Sequence, residues 1–339
     1  MRHAGVSQWN GAGVGDIVSI EKGRAIVVRS GRLRDHGEAV GMMQERSRCL
    51  WLRARVLDEI RSFFRRRGFL EVETPTLTPA GGMEPHIDLF SGIDDGLELI
   101  SSPEFHMKRL LAGGEERIFQ ITRAYRREPA EAMHNPEFTM LEFYRVNTDY
   151  NIIMDDLEAM VRSICRAVGV DWLGFREQQT DPASRWQRRT VESLLREDGR
   201  CSMTDDPDVL NLVMADWDGA LGNGSPVFVK DYPASMASLA QIGQNGLAQR
   251  FELYIAGVEL ANGFTELTDP NEQLDRFISV IRQRRDMGLD LPAIDTRFIA
   301  ALAEGMPPAG GVAVGVDRLI ALIAHESSLE PCMAFPWIT

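Results

Sequence analysis

Two β-branched and aromatic runs, 118–126 and 138–146, alternate apolar and polar positions with a period of two, which predicts the arms of a hairpin. Between them Arg127 to Glu137 is polar, carries two prolines and is too long for a tight turn, so an open loop is expected. On the second arm the alternation places Phe138, Met140, Glu142 and Tyr144 on one face and Thr139, Leu141, Phe143 and Arg145 on the other. At roughly 3.3 Å per residue, the Phe138 ring and the Glu142 carboxylate stand ~13 Å apart. That is the span of an extended ligand with an aromatic base at one end and a cation at the other. An amphipathic surface hairpin accounts for the same alternation without a ligand.

Helical spacing appears over 46–67, where Val56, Leu57, Ile60, Phe63 and Phe64 share a stripe and Gly68 supplies a stop. A strand over 69–74, ended by Pro75, follows. Ser102 and Pro103 suit the N-cap and first position of a helix running to Leu111 and closed by Gly113 and Gly114. Glu252 and Glu259 flank a turn at Ala256-Gly257, so a hairpin brings the two carboxylates across from each other. Glu259 and Asn262 have opposite strand parity, and both face one site only if the strand is bulged, expected near Asn262-Gly263. Beyond Gly315 the run 319–323 is apolar and helical. The stretch 165–225 is expected to be a mostly helical insertion, and 1–45 a separate small element.

Composition narrows the class. A chain of 339 residues, 44% hydrophobic, buries a large core. No apolar run reaches the ~18 residues that span a bilayer and the N-terminus lacks a signal-peptide core, so a cytoplasmic protein is expected. Cys49, Cys165, Cys201 and Cys332 are scattered, with no Cys-x-x-Cys pair to suggest zinc or a disulfide framework. Lysine occurs only at Lys22, Lys108 and Lys230, the other basic residues being arginine, as codon bias in a GC-rich genome would give. A net charge of -13 argues against a broad polyanion-binding face. No Walker loop or internal repeat is present.

The segment 123–145, with its run His-Asn-Pro-Glu-Phe-Thr-Met-Leu-Glu at 134–142, resembles motif 2 of the class II aminoacyl-tRNA synthetases in their lysyl branch. Residues 250–267 resemble the lysine-and-magnesium segment of that branch, Gly-Val-Ala-Val-Gly-Val-Asp-Arg-Leu at 311–319 resembles motif 3, and 68–75 fits motif 1. The resemblance covers roughly 46–339. It implies an α+β class II catalytic fold, an antiparallel sheet flanked by helices, with a homodimer formed through the motif 1 helix and strand. The strand-like run 15–31 resembles the end of the oligonucleotide-binding barrel that precedes this domain in lysyl enzymes. Residues 1–45 are too short for the whole barrel, so the anticodon-binding domain is read as missing.

Adenylate formation explains the residue types that the resemblance assigns. A substrate carboxylate is already an anion, so the work is positioning and neutralising charge around the α-phosphorus. By resemblance Arg126 bridges the α-phosphate and the substrate carboxylate, its planar fork suiting both. Glu128 contacts the adenine amino group, His134 the terminal phosphates, and Phe138 and Arg318 cover the two faces of the base, Arg126 and Arg318 being the catalytic pair. Glu252 and Glu259 occupy the Mg²⁺ positions and ATP is the co-substrate. Glu142, Tyr144 and Glu266 enclose the ε-ammonium, while Glu104 and Asn262 hold the other amino group and the carboxylate.

Two positions distinguish the chain within the family. Ser102 and Ala313 stand where lysyl-tRNA synthetases have alanine and glycine, and both match the paralogous elongation factor P (R)-β-lysine ligases. That likeness implies activation of β-lysine and transfer to a lysine of elongation factor P, with tRNA not expected as a partner. A truncated lysyl-tRNA synthetase-like ligase acting on tRNA or a small molecule is the alternative within the fold. A non-catalytic regulator is the alternative outside it.

Overall fold

The computed structural model describes residues 17–21, 24–29 and 36–337 except 95 and 218, with side chains from residue 46 onward. The chain divides into two compact units, Met1–Arg48 and Cys49–Thr339. In the first, β1 (Ile17–Glu21) and β2 (Arg24–Arg29) pair as an antiparallel hairpin. The rest of the expected barrel remnant, 1–16, 22–23 and 30–35, lies outside the described residues.

Helix α1 (His36–Arg66) starts ten residues before the expected 46 and stops at Gly68, whose φ of 75° suits only glycine comfortably. Val56, Ile60, Phe63 and Phe64 on its stripe are buried, and the Phe64 ring stacks 4.7 Å from Phe119. The strand expected over 69–74 shrinks to β3 (Leu70–Glu71), an exposed edge that pairs on one side only. Then come β4 (Leu77–Thr78), β5 (Glu98–Leu99), α2 (Glu104–Ala112), β6 (Arg117–Tyr125), β7 (Glu137–Val146) and α3 (Tyr150–Val168). The β6–β7 hairpin falls within one residue of its predicted arms.

The stretch 165–225 is mixed rather than mostly helical. It holds β8 (Leu173–Phe175), β9 (Gln178–Thr180), β10 (Gln187–Thr190), α4 (Val191–Asp198) and α5 (Pro207–Ala215). Strands of three or four residues are too short to show a period, and β10 forms because β11 offers it an edge. The remaining elements are β11 (Val227–Pro233), β12 (Leu247–Ile255), β13 (Val258–Thr265), α6 (Pro270–Asp286), α7 (Thr296–Gly305), β14 (Ala309–Gly315) and α8 (Val316–Ala324).

Eight strands form the main sheet in the order β10-β11-β12-β13-β14-β7-β6-β3. The six inner strands are antiparallel throughout, and only the edge pairings β10–β11 and β3–β6 are parallel. Phe119, Leu141, Phe143, Leu253, Val312 and Val314 line one face, where they cluster with buried residues of α1, α3 and α8. A smaller cluster joins α2, α6 and α7 to Ile118 and Tyr144 on the other face. Among the described residues no helix is long and apolar enough to cross a membrane.

Candidate active site

Strand register sets the site. Gln120, Glu142, Ala313, Asn262 and Glu252 are in line across β6, β7, β14, β13 and β12, and directly opposed side chains share a face. Two residues along, Tyr144, Gly311, Phe264 and Arg250 form a parallel row. The expected bulge in β13 lies at Leu260 rather than at Asn262-Gly263: Leu253 pairs with Ala261 and Tyr254 with Glu259, which leaves Leu260 unmatched. The shifted parity brings Glu259 onto the face of Asn262, Glu252 and Tyr254. The turn joining the strands has positive φ at both Ala256 and Gly257, the two-residue geometry that a twisted hairpin favours.

One end of this face is a pocket of carboxylates. Glu142 is buried, its Oε1 accepting from Ser102 Oγ at 2.5 Å and its Oε2 from Tyr144 OH at 2.9 Å. Burial and the neighbouring Glu104 lift its pKa to about 8. Ser102 Oγ also accepts from the N–H of Glu104, the first residue of α2, so the helix starts a residue later than the predicted Pro103. Glu104 and Glu266 each lie 2.5 Å from the Lys108 ammonium. Burial lifts Glu266 to about 7 against the pull of Lys108, and its Oε1 has no hydrogen-bond partner. Gly311 lets Tyr144 and Glu266 meet, because a Cβ there would enter both the ring and that Oε1.

The other end gathers the nucleotide candidates. Arg318, two residues into α8, donates from Nε to the Met133 carbonyl at 3.1 Å and from Nη1 to the Glu259 carbonyl at 2.7 Å. Its Nη2 lies 2.8 Å from His134 Nε2, which makes that nitrogen the acceptor and turns Nδ1–H toward Glu131. Burial and the Arg318 charge hold the His134 pKa below the usual value. Arg126 and Phe138 flank the motif 2 loop, the guanidinium lying 5.2 Å over the ring, and Arg126 Nε is buried without a partner. Glu128 sits at the same turn, its N–H bonded to the Arg126 carbonyl. Glu252 Oε1 accepts from Arg250 at 2.6 Å and from Asn262 Nδ2 at 3.3 Å, and Oε2 from Tyr254 OH at 2.8 Å. Asn262 Oδ1 is likewise a buried acceptor without a partner.

Orphaned polar atoms on one face, Arg126 Nε, Asn262 Oδ1 and Glu266 Oε1 among them, are the mark of a site built for a polar ligand. Among the described residues no cluster of three or more metal-ligating side chains occurs. Glu252 and Glu259 share this face, and two carboxylates would suit a Mg²⁺ ion that takes most of its ligands from phosphates and water.

Several contributors escape sequence reasoning. Lys108 lies in the run that carries Ser102 and Glu104, but its second partner, Glu266, is remote along the chain. Arg284 on α6 is buried and donates to the carbonyls of Glu84, Pro85, Ile87 and Asp290 and to the Asp88 carboxylate. The Asp88 carbonyl in turn accepts from the Arg127 N–H at 2.8 Å, which anchors the start of the motif 2 loop. Glu84, on the same clasped segment, has its pKa raised by burial despite the attraction of Arg126. Asp317 does not face the site. It binds Arg53 at 2.6 Å and the Thr139 N–H at 2.6 Å, tying α1, β7 and α8 together.

The chain matches the family of class II tRNA synthetases (D, K and N) over residues 37–339. It is 42% identical over 305 residues to the elongation factor P–(R)-β-lysine ligase of Mannheimia succiniciproducens, covering 85% of this chain and 94% of that protein. It is 41% identical to the proteins of that name from Yersinia pestis and Yersinia pseudotuberculosis, covering 84% of this chain and 93% of each of them. With the α+β sheet, the ordered motifs and the register of the site already in place, the chain belongs to the class II tRNA synthetase family, in its elongation factor P–(R)-β-lysine ligase branch.

Proposed function

We propose that the protein activates (R)-β-lysine with ATP and passes the β-lysyl group to a lysine ε-amino group of elongation factor P. The observation that carries this reading is the row Glu142–Ala313–Asn262–Glu252, which joins a carboxylate pocket suited to ammonium groups to an arginine-lined end suited to a nucleotide. In the first step the substrate carboxylate attacks the α-phosphorus of ATP, forming the acyl adenylate and releasing pyrophosphate. Arg126 bridges carboxylate and α-phosphate, and Arg318 holds the base against Phe138. Glu142, Tyr144 and Glu266 take the terminal ammonium, and Glu104 and Asn262 hold the second amino group and the carboxylate. Glu252 and Glu259 would hold Mg²⁺, which would neutralise charge on the phosphate oxygens. In the second step the acceptor amine, stripped of one proton, attacks the acyl carbon and AMP leaves.

Ser102 and Ala313 are read as the pair that shifts the amino-group site by one carbon. The enzyme is taken to be a cytoplasmic homodimer. tRNA is not proposed as an acceptor: a net charge of -13 gives little general attraction for a polyanion, and the relatives' names specify elongation factor P. Pyrophosphate exchange with each lysine isomer tests the first step. Exchange is expected with β-lysine and is lost in Arg126→Ala, since removing one preorganised charge contact costs ~3 to 4 kcal/mol, roughly 100- to 1,000-fold. Near wild-type exchange by the variant would reject the role of Arg126.

A further inference from the structure

Lys108 is fully buried, and no solvent reaches its ammonium. Burial alone disfavours a charged lysine, yet the carboxylates of Glu104 and Glu266, each 2.5 Å from Nζ, hold its pKa above the ordinary value. An internal cation thus sits inside the pocket that must recognise the cations of the substrate. Ionised, as bound ammonium groups would hold them, Glu104, Glu142 and Glu266 bring three negative charges to this pocket and Lys108 brings one positive, so the ionised set needs two further cations for neutrality. Burying charge without a partner is costly, and the missing partners are what the pocket can extract from a ligand. Glu266 has one oxygen on Lys108 and leaves Oε1 unpartnered beside Tyr144 and Gly311.

We propose that Lys108 is the resident counter-cation of the amino-acid pocket, a specificity-determining residue that fixes Glu104 and Glu266 and sets the pocket's charge to suit a substrate with two ammonium groups. The inference rests on the functional reading above and extends it. Lys108 is a positioning residue: it touches the carboxylates that bind substrate, not the reacting carboxylate. The charge balance also gives it a signature that packing alone does not have. Where all three carboxylates are present, loss of the lysine leaves one negative charge too many. Where Glu266 is neutral, the lysine itself is the excess charge and its loss restores the balance.

The test is equilibrium binding of (R)-β-lysine by calorimetry to wild type, Lys108→Met, Glu266→Gln and the double variant, all near-isosteric changes, with thermal melting as the check on folding. Lys108→Met is expected to weaken binding at least about tenfold in the wild-type background. In the Glu266→Gln background the same change is expected to strengthen binding. A double variant that binds no better than Glu266→Gln overturns the inference, as does a folded Lys108→Met within twofold of wild type. The comparison of Glu266→Gln with the double variant stands even if Lys108→Met alone does not fold. On wild type, 3-aminohexanoate, which lacks the terminal ammonium, is expected to bind at least about a hundredfold more weakly than β-lysine, and a difference under tenfold also overturns it. Failure of wild type to bind either lysine isomer would instead remove the functional reading and the inference together.

Discussion

The methyl group of Ala313 on β14 stands directly opposite Glu142 on β7, with Asn262 on β13 opposite it on the other side. Side chains in such pairs lie about 4.5–5.5 Å apart at Cβ, so one methyl group at this place intrudes on the space between the residues assigned to the amino and carboxylate groups of the substrate. Ala313→Gly is expected to shift preference from β-lysine toward α-lysine. Removing one methyl from a close-packed pocket changes discrimination by ~1 to 3 kcal/mol. The ratio of kcat/KM for the two isomers measures it, and an unchanged ratio would make Ala313 a packing residue only.

The buried Glu142 gives the pocket a pH dependence whose sign is fixed. Its pKa is about 8 in the folded protein against an ordinary 4.5, so between those values the folded chain binds a proton that the unfolded chain does not. Its contribution to stability is full below about 4.5 and is lost as pH rises through about 8. An ammonium group binding at Glu142 displaces that proton, so stabilisation by β-lysine runs the other way and grows from pH 6 to pH 8.5. Melting curves with and without β-lysine across this range read both trends, and Glu142→Gln should flatten the first. A ligand-induced shift larger at pH 6 than at pH 8.5 would contradict the assignment.

Arg284 tests the clasp that holds the motif 2 loop. Its replacement by methionine strands the carbonyls of Glu84, Pro85 and Ile87 and the Asp88 carboxylate, a loss of about 3 to 5 kcal/mol for a buried charged partner. Because the Asp88 carbonyl holds the Arg127 N–H, the KM for ATP should rise more than the KM for β-lysine. Denaturant unfolding and steady-state exchange kinetics give the two quantities. Equal rises in the two KM values would place Arg284 outside the nucleotide end.

What was legible in the sequence and what was not divide along physical lines. The β6–β7 hairpin and the Ala256-Gly257 turn were readable because alternation and turn chemistry are local. The parity conflict between Glu259 and Asn262 required a bulge, but its place at Leu260 depends on pairing with β12, which no local pattern encodes. Likewise nothing local marks Asp317 as the partner of Arg53 and of the Thr139 N–H. Lys108 was visible as one of three lysines, yet its meaning lies in Glu266, which reaches it only through the folded sheet. Arg284 gives no sign at all, since its acceptors are mostly backbone carbonyls. The short strands of 165–225 fall below the length at which periodicity separates strand from helix.

The central claim is the transfer itself, and intact-mass spectrometry of the acceptor measures it most directly. Purified protein with ATP, Mg²⁺ and (R)-β-lysine should add one lysyl residue's mass to its cognate elongation factor P, with fragmentation placing the group on a single lysine side chain. The same mixture should leave bulk tRNA uncharged. An unmodified elongation factor P alongside lysine-charged tRNA would contradict the account and leave the truncated-synthetase reading in its place.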